Sequence, residues 1–404
     1  MSQTAPSQKP HRPINAYRVP AMLRNLSYKL TSALSSSEAS PTKDSNGFTK
    51  ASKTGDLFPA TDPAIDGEDC LHDCASCSVK YPRKFDIDET EELYGHVKGF
   101  NTHLIVATGK TDWVRDVADE KGSIMEAVDR GTVKPSNGKL MLSASNIPVP
   151  DHSDHSSMVL LLPSWQFIDN VTPANVPELI TGFVNPGPTN NTPLRSRAAT
   201  LPTSTSPEES SSGSSSTPDT PAIPSSLPAT SQLKARPCPH KYLILMCSQK
   251  TRDARCGQSA PLLRKEFERL LRPMGLYRDL HDERPGGVGI YFISHVGGHK
   301  FSANVMVYRH SSVVSRPEGA TNGTEKRLAD MKIEDEQGQE ILLDANKEQE
   351  AEGNGEAAQC IWLARVKPED CENIIKYTVL QGKVVKPERQ LRGGFDRCKQ
   401  LASW

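Results

Sequence analysis

The stretch that decides the fold is KYLILMCSQKTRDARCG, residues 241–257. Its first seven residues read as a continuous apolar run, short enough for a strand buried on both faces, and the run ends in Cys247. A polar loop carries the chain to Cys256. SAPLLRKEFERLLRPMGLY (259–277) then predicts a helix, with Leu262, Leu263, Phe267, Leu270 and Leu271 on one stripe and Gly275 near its end. GVGIYFISHV (287–296) and KFSANVMVYRH (300–310) flank Gly297-Gly298 and predict two strands joined by a tight turn. CIWLARV (360–366) reads as another strand, and PEDCENIIKYTVLQGK (368–383) as a terminal helix with Pro368 and Glu369 in its first turn. That order is α/β and is compatible with a thioredoxin-like unit.

Upstream, THLIVATG (102–109) predicts a buried strand and DWVRDVADEKGSIMEAVDRG (112–131) an amphipathic helix. KLMLSAS (139–145) and SMVLLLPSWQF (157–167) predict two strands, and NVPELITGF (175–183) a short helix. The similar order in the two segments is compatible with a degenerate duplication, although they share no motif. The expected organisation is a disordered tail (1–56), an N-terminal α/β domain (57–184), a disordered Ser/Thr/Pro-rich linker (185–237) and a C-terminal domain (238–404). A polar, acidic insertion at 311–359 interrupts the last of these.

Composition narrows the function. With 404 residues and 31 prolines concentrated in particular segments, two domains and a linker are the natural expectation. Lys+Arg 48 against Asp+Glu 49 leaves a formal charge of −1, so no bulk excess draws the chain to nucleic acid or an anionic membrane. No apolar run reaches the roughly 18 residues of a spanning helix. Nine cysteines, an odd number, suit a reducing compartment better than a disulfide scaffold. The expected location is the cytoplasm. Lys9, Arg12, Arg18, Arg24 and Lys29, all before the first acid Glu38, give the mitochondrial alternative, but Pro6, Pro10, Pro13 and Pro20 break any long amphipathic helix there.

The chemistry gathers at four residues. Cys247 ends the first C-terminal strand and Cys256 precedes the helix, at the carboxyl end of the sheet where α/β folds place ligands. His295 and His299 follow another strand, with Gly297 and Gly298 letting the backbone fold closely round a compact object. Two thiols and two imidazoles converging on one spot point to a metal centre. The His-x-x-x-His spacing is not that of a helical zinc protease, because two glycines disfavour a helix and no Glu follows His295. Zinc and a [2Fe-2S] core both accept this donor set, and spacing does not choose between them. CLHDCASC (70–77) offers Cys70, Cys74, Cys77 and His72 for a second metal or a redox-sensitive thiol group. GKTDW (109–113) lacks the upstream glycine of a phosphate loop and reads as a turn and helix cap.

CSQKTRDARCG, GLYRD, HVGGHKFSANV, IWLARVKP and the closing SW, with LHDCASC and ATGKTDWVRDV upstream, resemble the fungal actin-patches-distal branch of the sucrase/ferredoxin-like family. The resemblance is strongest over 241–309 and from 361 onward. It implies a thioredoxin-like ferredoxin domain in the C-terminal segment. It also implies a [2Fe-2S] cluster held by Cys247, Cys256, His295 and His299, and an electron carrier rather than an enzyme. Two thiolates cancel the two positive charges of a diferric core and neutral imidazoles add none. A potential above the roughly −400 mV of plant-type centres and coupling of electron to proton transfer are therefore expected. Arg252, Arg255 and Lys300 flank the ligands as candidates for tuning the potential or docking an acidic redox partner protein. Ser403-Trp404 resembles the aromatic-ended signal read by the cytosolic iron–sulfur assembly targeting complex. Two alternatives are a zinc-stabilised scaffold in actin-patch organisation and a dithiol oxidoreductase using Cys247 and Cys256. Eight residues between those cysteines match Cys-x-x-Cys poorly.

Overall fold

The structure, a computed structural model, describes residues 47–149, 156–194, 232–314 and 355–404. The expected tail up to residue 46, most of the expected linker (195–231) and most of the insertion (315–354) lie outside the described residues. The strands are β1 (Thr49–Lys50), β2 (Thr102–Ala107), β3 (Leu140–Ser145), β4 (Ser157–Leu162), β5 (Gln166–Val171), β6 (Lys234–Pro237) and β7 (Tyr242–Cys247). They continue with β8 (Tyr277–Arg278), β9 (Val288–Ile293), β10 (Val305–His310), β11 (Ala357–Leu363), β12 (Leu391–Asp396) and β13 (Leu401–Ala402). All belong to one mixed sheet in the order β1-β13-β12-β11-β10-β7-β9-β3-β2-β4-β5-β6, with β8 also pairing on β9.

The α/β class is as expected, and the two halves share a topology. In the C-terminal half β7 runs parallel to β9 on one side and antiparallel to β10 on the other, and β10 pairs antiparallel with β11. In the N-terminal half β2 runs parallel to β3 and antiparallel to β4, and β4 pairs antiparallel with β5. Each half has a helix between its first two strands, Ile124–Arg130 in one and Ala254–Leu271 in the other. The halves join edge to edge through β3 and β9, which overlap only at their carboxyl ends, Ser145 opposite Ile293. Side chains extend that seam: Ser145 Oγ donates to Phe292 O at 2.8 Å, and Phe292 N donates to Asn146 Oδ1 at 2.7 Å. The loops leaving the carboxyl ends of both halves therefore meet at one place.

Alternation along β7 shows why the strand reads as wholly apolar. Ile244 and Met246 pack with Leu263, Phe267 and Leu271 of the long helix, while Leu243 and Leu245 enter a second core on the other face. That second core also holds Ile105, Leu160 and Phe167 from the N-terminal half, so apolar packing crosses the seam. A third core packs Ile124, Met125 and Val128 against Leu104, Val106 and Val159.

Several expectations need correction. SMVLLLPSWQF is a hairpin, β4 and β5, turning at Pro163–Trp165 rather than one strand. Helix within 112–131 is confined to Ile124–Arg130 after a short 3₁₀ turn at Val117–Asp119, because Gly122 takes φ 71 and Ser123 Oγ caps the N–H of Glu126 at 3.0 Å. The long helix starts at Ala254, where Asp253 accepts from Arg255 N at 2.9 Å, so Cys256 lies in its first turn. β9 and β10 are not a hairpin, since β7 lies between them. The predicted terminal helix, irregular over Pro368–Val379, is followed by β12 and β13. LRGGFD hides β12 behind two glycines, yet a Cβ on Gly394 would stand 2.0 Å from Cys360 O, so the neighbouring strand's approach requires glycine. Two segments expected to be disordered are built into the sheet: β6 pairs with β5, and β1 pairs with β13.

Candidate metal centre

The topology brings the four sequence-predicted residues together. Cys247 leaves β7, Cys256 opens the long helix, and His295 and His299 flank the glycine pair after β9. Cys247 and Cys256 are both buried. Their sulfurs share a hydrogen bond, which with burial pushes the Cys247 thiol well up and lowers Cys256 to about 5. His295 and Ser302 also hydrogen-bond the Cys256 sulfur, the latter at 3.3 Å. The two imidazole rings stand 5.3 Å apart, centroid to centroid. His299 Nε2 lies 3.9 Å from Asp253 Oδ2, and burial makes its ring harder to protonate. The four thus meet pairwise: thiol to thiol, thiol to imidazole, imidazole to imidazole. Among the described residues, no three His, Cys, Asp or Glu side chains already surround a single point that would hold an ion.

The donor set fits a cationic centre on two further grounds. Nδ1 of both His295 and His299 is buried without a hydrogen-bond partner, a costly state for an imidazole nitrogen unless something binds it. Ionising one buried thiol makes ionising the other harder, and a bound cation would remove that cost.

Sequence reasoning missed what holds the loops. Gln249 is buried, its Oε1 accepting from His295 N at 2.8 Å and its Nε2 donating to Val114 O at 2.5 Å. Ser248 Oγ donates to Thr111 O at 2.8 Å, and Thr251 Oγ1 donates to Asp112 Oδ2 at 2.8 Å. The GKTDW turn of the N-terminal half is therefore a brace for the Cys247–Cys256 loop. Arg392, buried on β12, donates to Gly297 O and Asn304 Oδ1, each at 3.0 Å, and lies over the Trp362 ring at 4.7 Å. Gly298 takes φ 64, and a Cβ there would stand 2.5 Å from Arg392 Cζ. The one signal available for the brace was the recurrence of polar residues, Ser248, Gln249, Thr251 and Thr111, Asp112, after two apolar strands.

The flanking cations are mostly engaged. Arg255 pairs with Asp253 at 2.9 Å, Lys300 pairs with Glu91, and Arg252 donates to Arg115 O at 3.5 Å. Ser403 is buried and exchanges hydrogen bonds with Gly394, its Oγ accepting from Gly394 N at 3.0 Å and its N–H donating to Gly394 O at 3.0 Å. Trp404 packs its ring against Phe100 (5.2 Å) and Phe395 (6.3 Å), so the closing residues are tied to the sheet rather than trailing from it. Cys70 is buried, whereas Cys74 and Cys77 are half-buried.

A mixed sheet that gathers two buried thiols and two imidazoles at its carboxyl edges defines the class as a candidate metalloprotein. The chain belongs to the sucrase/ferredoxin-like family, whose profile matches residues 93–393. Among curated proteins it is similar to Actin patches distal protein 1 of Saccharomyces cerevisiae, 28% identical over 269 residues, covering 61% of this chain and 74% of the relative. It is also similar to Altered inheritance of mitochondria protein 32 of Clavispora lusitaniae, 27% identical over 148 residues, covering 36% of this chain and 33% of that protein. No solved structure matches the chain significantly. No helix among the described residues is long and apolar enough to cross a membrane.

Proposed function

We propose that the chain is an electron carrier whose [2Fe-2S] cluster is held by Cys247, Cys256, His295 and His299. The observation that carries this reading is the pair of partnerless, buried Nδ1 atoms beside two buried thiols. Such a cluster, when bound, supplies reversible one-electron chemistry. The side chains set its terms. Two thiolates with two neutral imidazoles leave the oxidised centre uncharged, where four thiolates would leave an anion. The potential should therefore exceed the roughly −400 mV of plant-type centres and approach the roughly −150 to +300 mV of Rieske centres. Arg392 adds a buried positive charge near Cys247, favouring the reduced state. The His299 side chain, 42% exposed, gives a redox partner protein a way to the centre, with the Arg255 charge close enough to act on that ring and to meet an acidic surface.

Iron, acid-labile sulfide and visible absorbance in the purified protein test the reading directly. His295→Cys and His299→Cys should retain the centre, lower its potential and reduce its pH dependence; a retained centre with neither change overturns the ligand assignment. A colourless zinc protein overturns the cluster and leaves standing a zinc scaffold, with the actin-patch role that the yeast relative's name suggests. We place the carrier in the cytosol, matured by the cytosolic assembly targeting complex through Ser403 and Trp404. For that the indole must leave Phe100 and Phe395, and removal of Trp404 should lower iron content in cells; unchanged iron refutes this route.

A further inference from the structure

Away from the candidate centre, the turn at Cys74–Cys77 has the Cys-x-x-Cys spacing that Cys247 and Cys256 lack. Cys77 N donates to Cys74 O at 3.4 Å, closing a β-turn whose ends lie within about 7 Å, Cα to Cα, a separation that a disulfide spans. Both residues are half-buried and line a cavity of about 630 Å³ with Tyr81, Phe85, Lys80 and Lys367. The two sulfurs differ. Cys74 Sγ lies 3.4 Å from Ser76 Oγ and 3.9 Å from Arg269 Nη2, while Cys77 Sγ donates to Val79 O at 3.3 Å. Arg269 is held in place by the fully buried Glu266 at 2.5 Å. A fixed cation and a hydroxyl beside one sulfur, with the other sulfur's proton committed to a carbonyl, make an attacking thiol and a resolving thiol.

We propose that Cys74 and Cys77 form a redox-active dithiol that reduces small-molecule disulfides in this cavity. Cys74, as its thiolate, attacks one sulfur of the incoming disulfide, forming a mixed disulfide and expelling the first thiolate, which takes up a proton. Cys77 gives up its proton and attacks the Cys74 sulfur, closing the Cys74–Cys77 disulfide and expelling the second thiol. Two electrons and two protons pass from the protein's thiols to the small molecule, which leaves as two thiols. The neighbouring Cys70 and Cys371 are buried and lie outside this exchange. The inference does not depend on the cluster.

The test uses the full reduced chain with excess glutathione disulfide, followed by alkylation and peptide mapping. Wild type should lose both Cys74 and Cys77 from the alkylated pool and yield one peptide carrying an internal disulfide. Cys77→Ser should stop at a glutathione adduct on Cys74, and Cys74→Ser should give neither product. Arg269→Met should slow adduct formation in the Cys77→Ser background by roughly tenfold, with Arg269→Lys restoring part of the rate. A wild-type map in which Cys74 and Cys77 stay reduced, or in which either pairs with Cys70 or Cys371, overturns the proposal whatever the variants do.

Discussion

Replacing Gln249 by Leu tests whether the N-terminal half braces the candidate centre. The side chain is buried, and its removal leaves His295 N–H without the acceptor it has at 2.8 Å and Val114 O without the donor it has at 2.5 Å. Val114 is exposed and His295 half-buried, so water replaces part of what is lost and the change costs about 1–3 kcal/mol rather than twice that. The first share falls on the loop between the two histidines and the second on the turn at 111–115, so the damage is local as well as global. Urea unfolding should show a lowered midpoint with unchanged slope. Hydrogen exchange reads the local share: a loss of up to about 3 kcal/mol at one amide speeds exchange of His295 N–H by up to roughly 150-fold. Thr251→Val removes the one side-chain bond to Asp112 from an exposed residue, keeps the backbone one, and should cost under about 1 kcal/mol. Should Gln249→Leu match that control in stability, with His295 N–H exchanging as in wild type, the bracing argument fails.

Gly298→Ala should destabilise by at least about 1–2 kcal/mol for its left-handed backbone, and by more than Gly297→Ala. A Cβ at 298 meets Arg392 Cζ at 2.5 Å, whereas one at 297 has its nearest neighbour at 3.6 Å; paired thermal melts decide. Arg397→Met removes a buried cation that pairs with Glu356 at 2.6 Å and donates to Thr192 O and Ala357 O, and should cost about 3–5 kcal/mol by urea unfolding. His103, buried between Tyr308 Oη (3.0 Å) and Ser143 Oγ (2.9 Å), has its pKa lowered to about 3 by burial. Because the unfolded chain takes up that proton first, its contribution is intact above about pH 6.5 and falls by about 1.4 kcal/mol per pH unit below it; His103→Gln should remove that share of the slope.

The convergence of Cys247, Cys256, His295 and His299 was largely legible because its signals are local. A six-residue apolar strand ending in Cys247, and glycines between His295 and His299, each announce themselves within a short window. The brace was not legible, because Gln249 owes its role to Val114 and His295, residues far apart in sequence. Arg392 was missed for a related reason: it sits in LRGGFD, where paired glycines read as loop until Cys360 O is seen against Gly394. The two-domain expectation rested on composition, which marks the Ser-rich stretch but carries no information on whether β3 and β9 pair across it. The helix predicted over 112–131 failed because apolar periodicity continued through Gly122, where the backbone turns instead.

The shared topology of the halves explains why one site suffices for the pair. Joining second strand to second strand buries the edge each half would otherwise expose, and the remaining outer edges, β5 and β11, are covered by further strands. β6 closes one side as a four-residue strand ending in Pro237; β12, β13 and the two-residue β1 close the other. Because the seam forms only at the carboxyl ends, the loop after β2 faces the loop after β7. One loop carries Cys247 and Cys256. The other, Thr108–Arg115, has neither Cys nor His and supplies backbone carbonyls and Asp112 instead. The thiols of that loop are buried, but its middle at Lys250 and Thr251 is exposed and buries too little to hold itself, and the matching loop of the other half supplies the rigidity. The N-terminal half thus positions the loop that carries Cys247 and Cys256, and severing the contacts at 111–115 should loosen that loop before it unfolds either half.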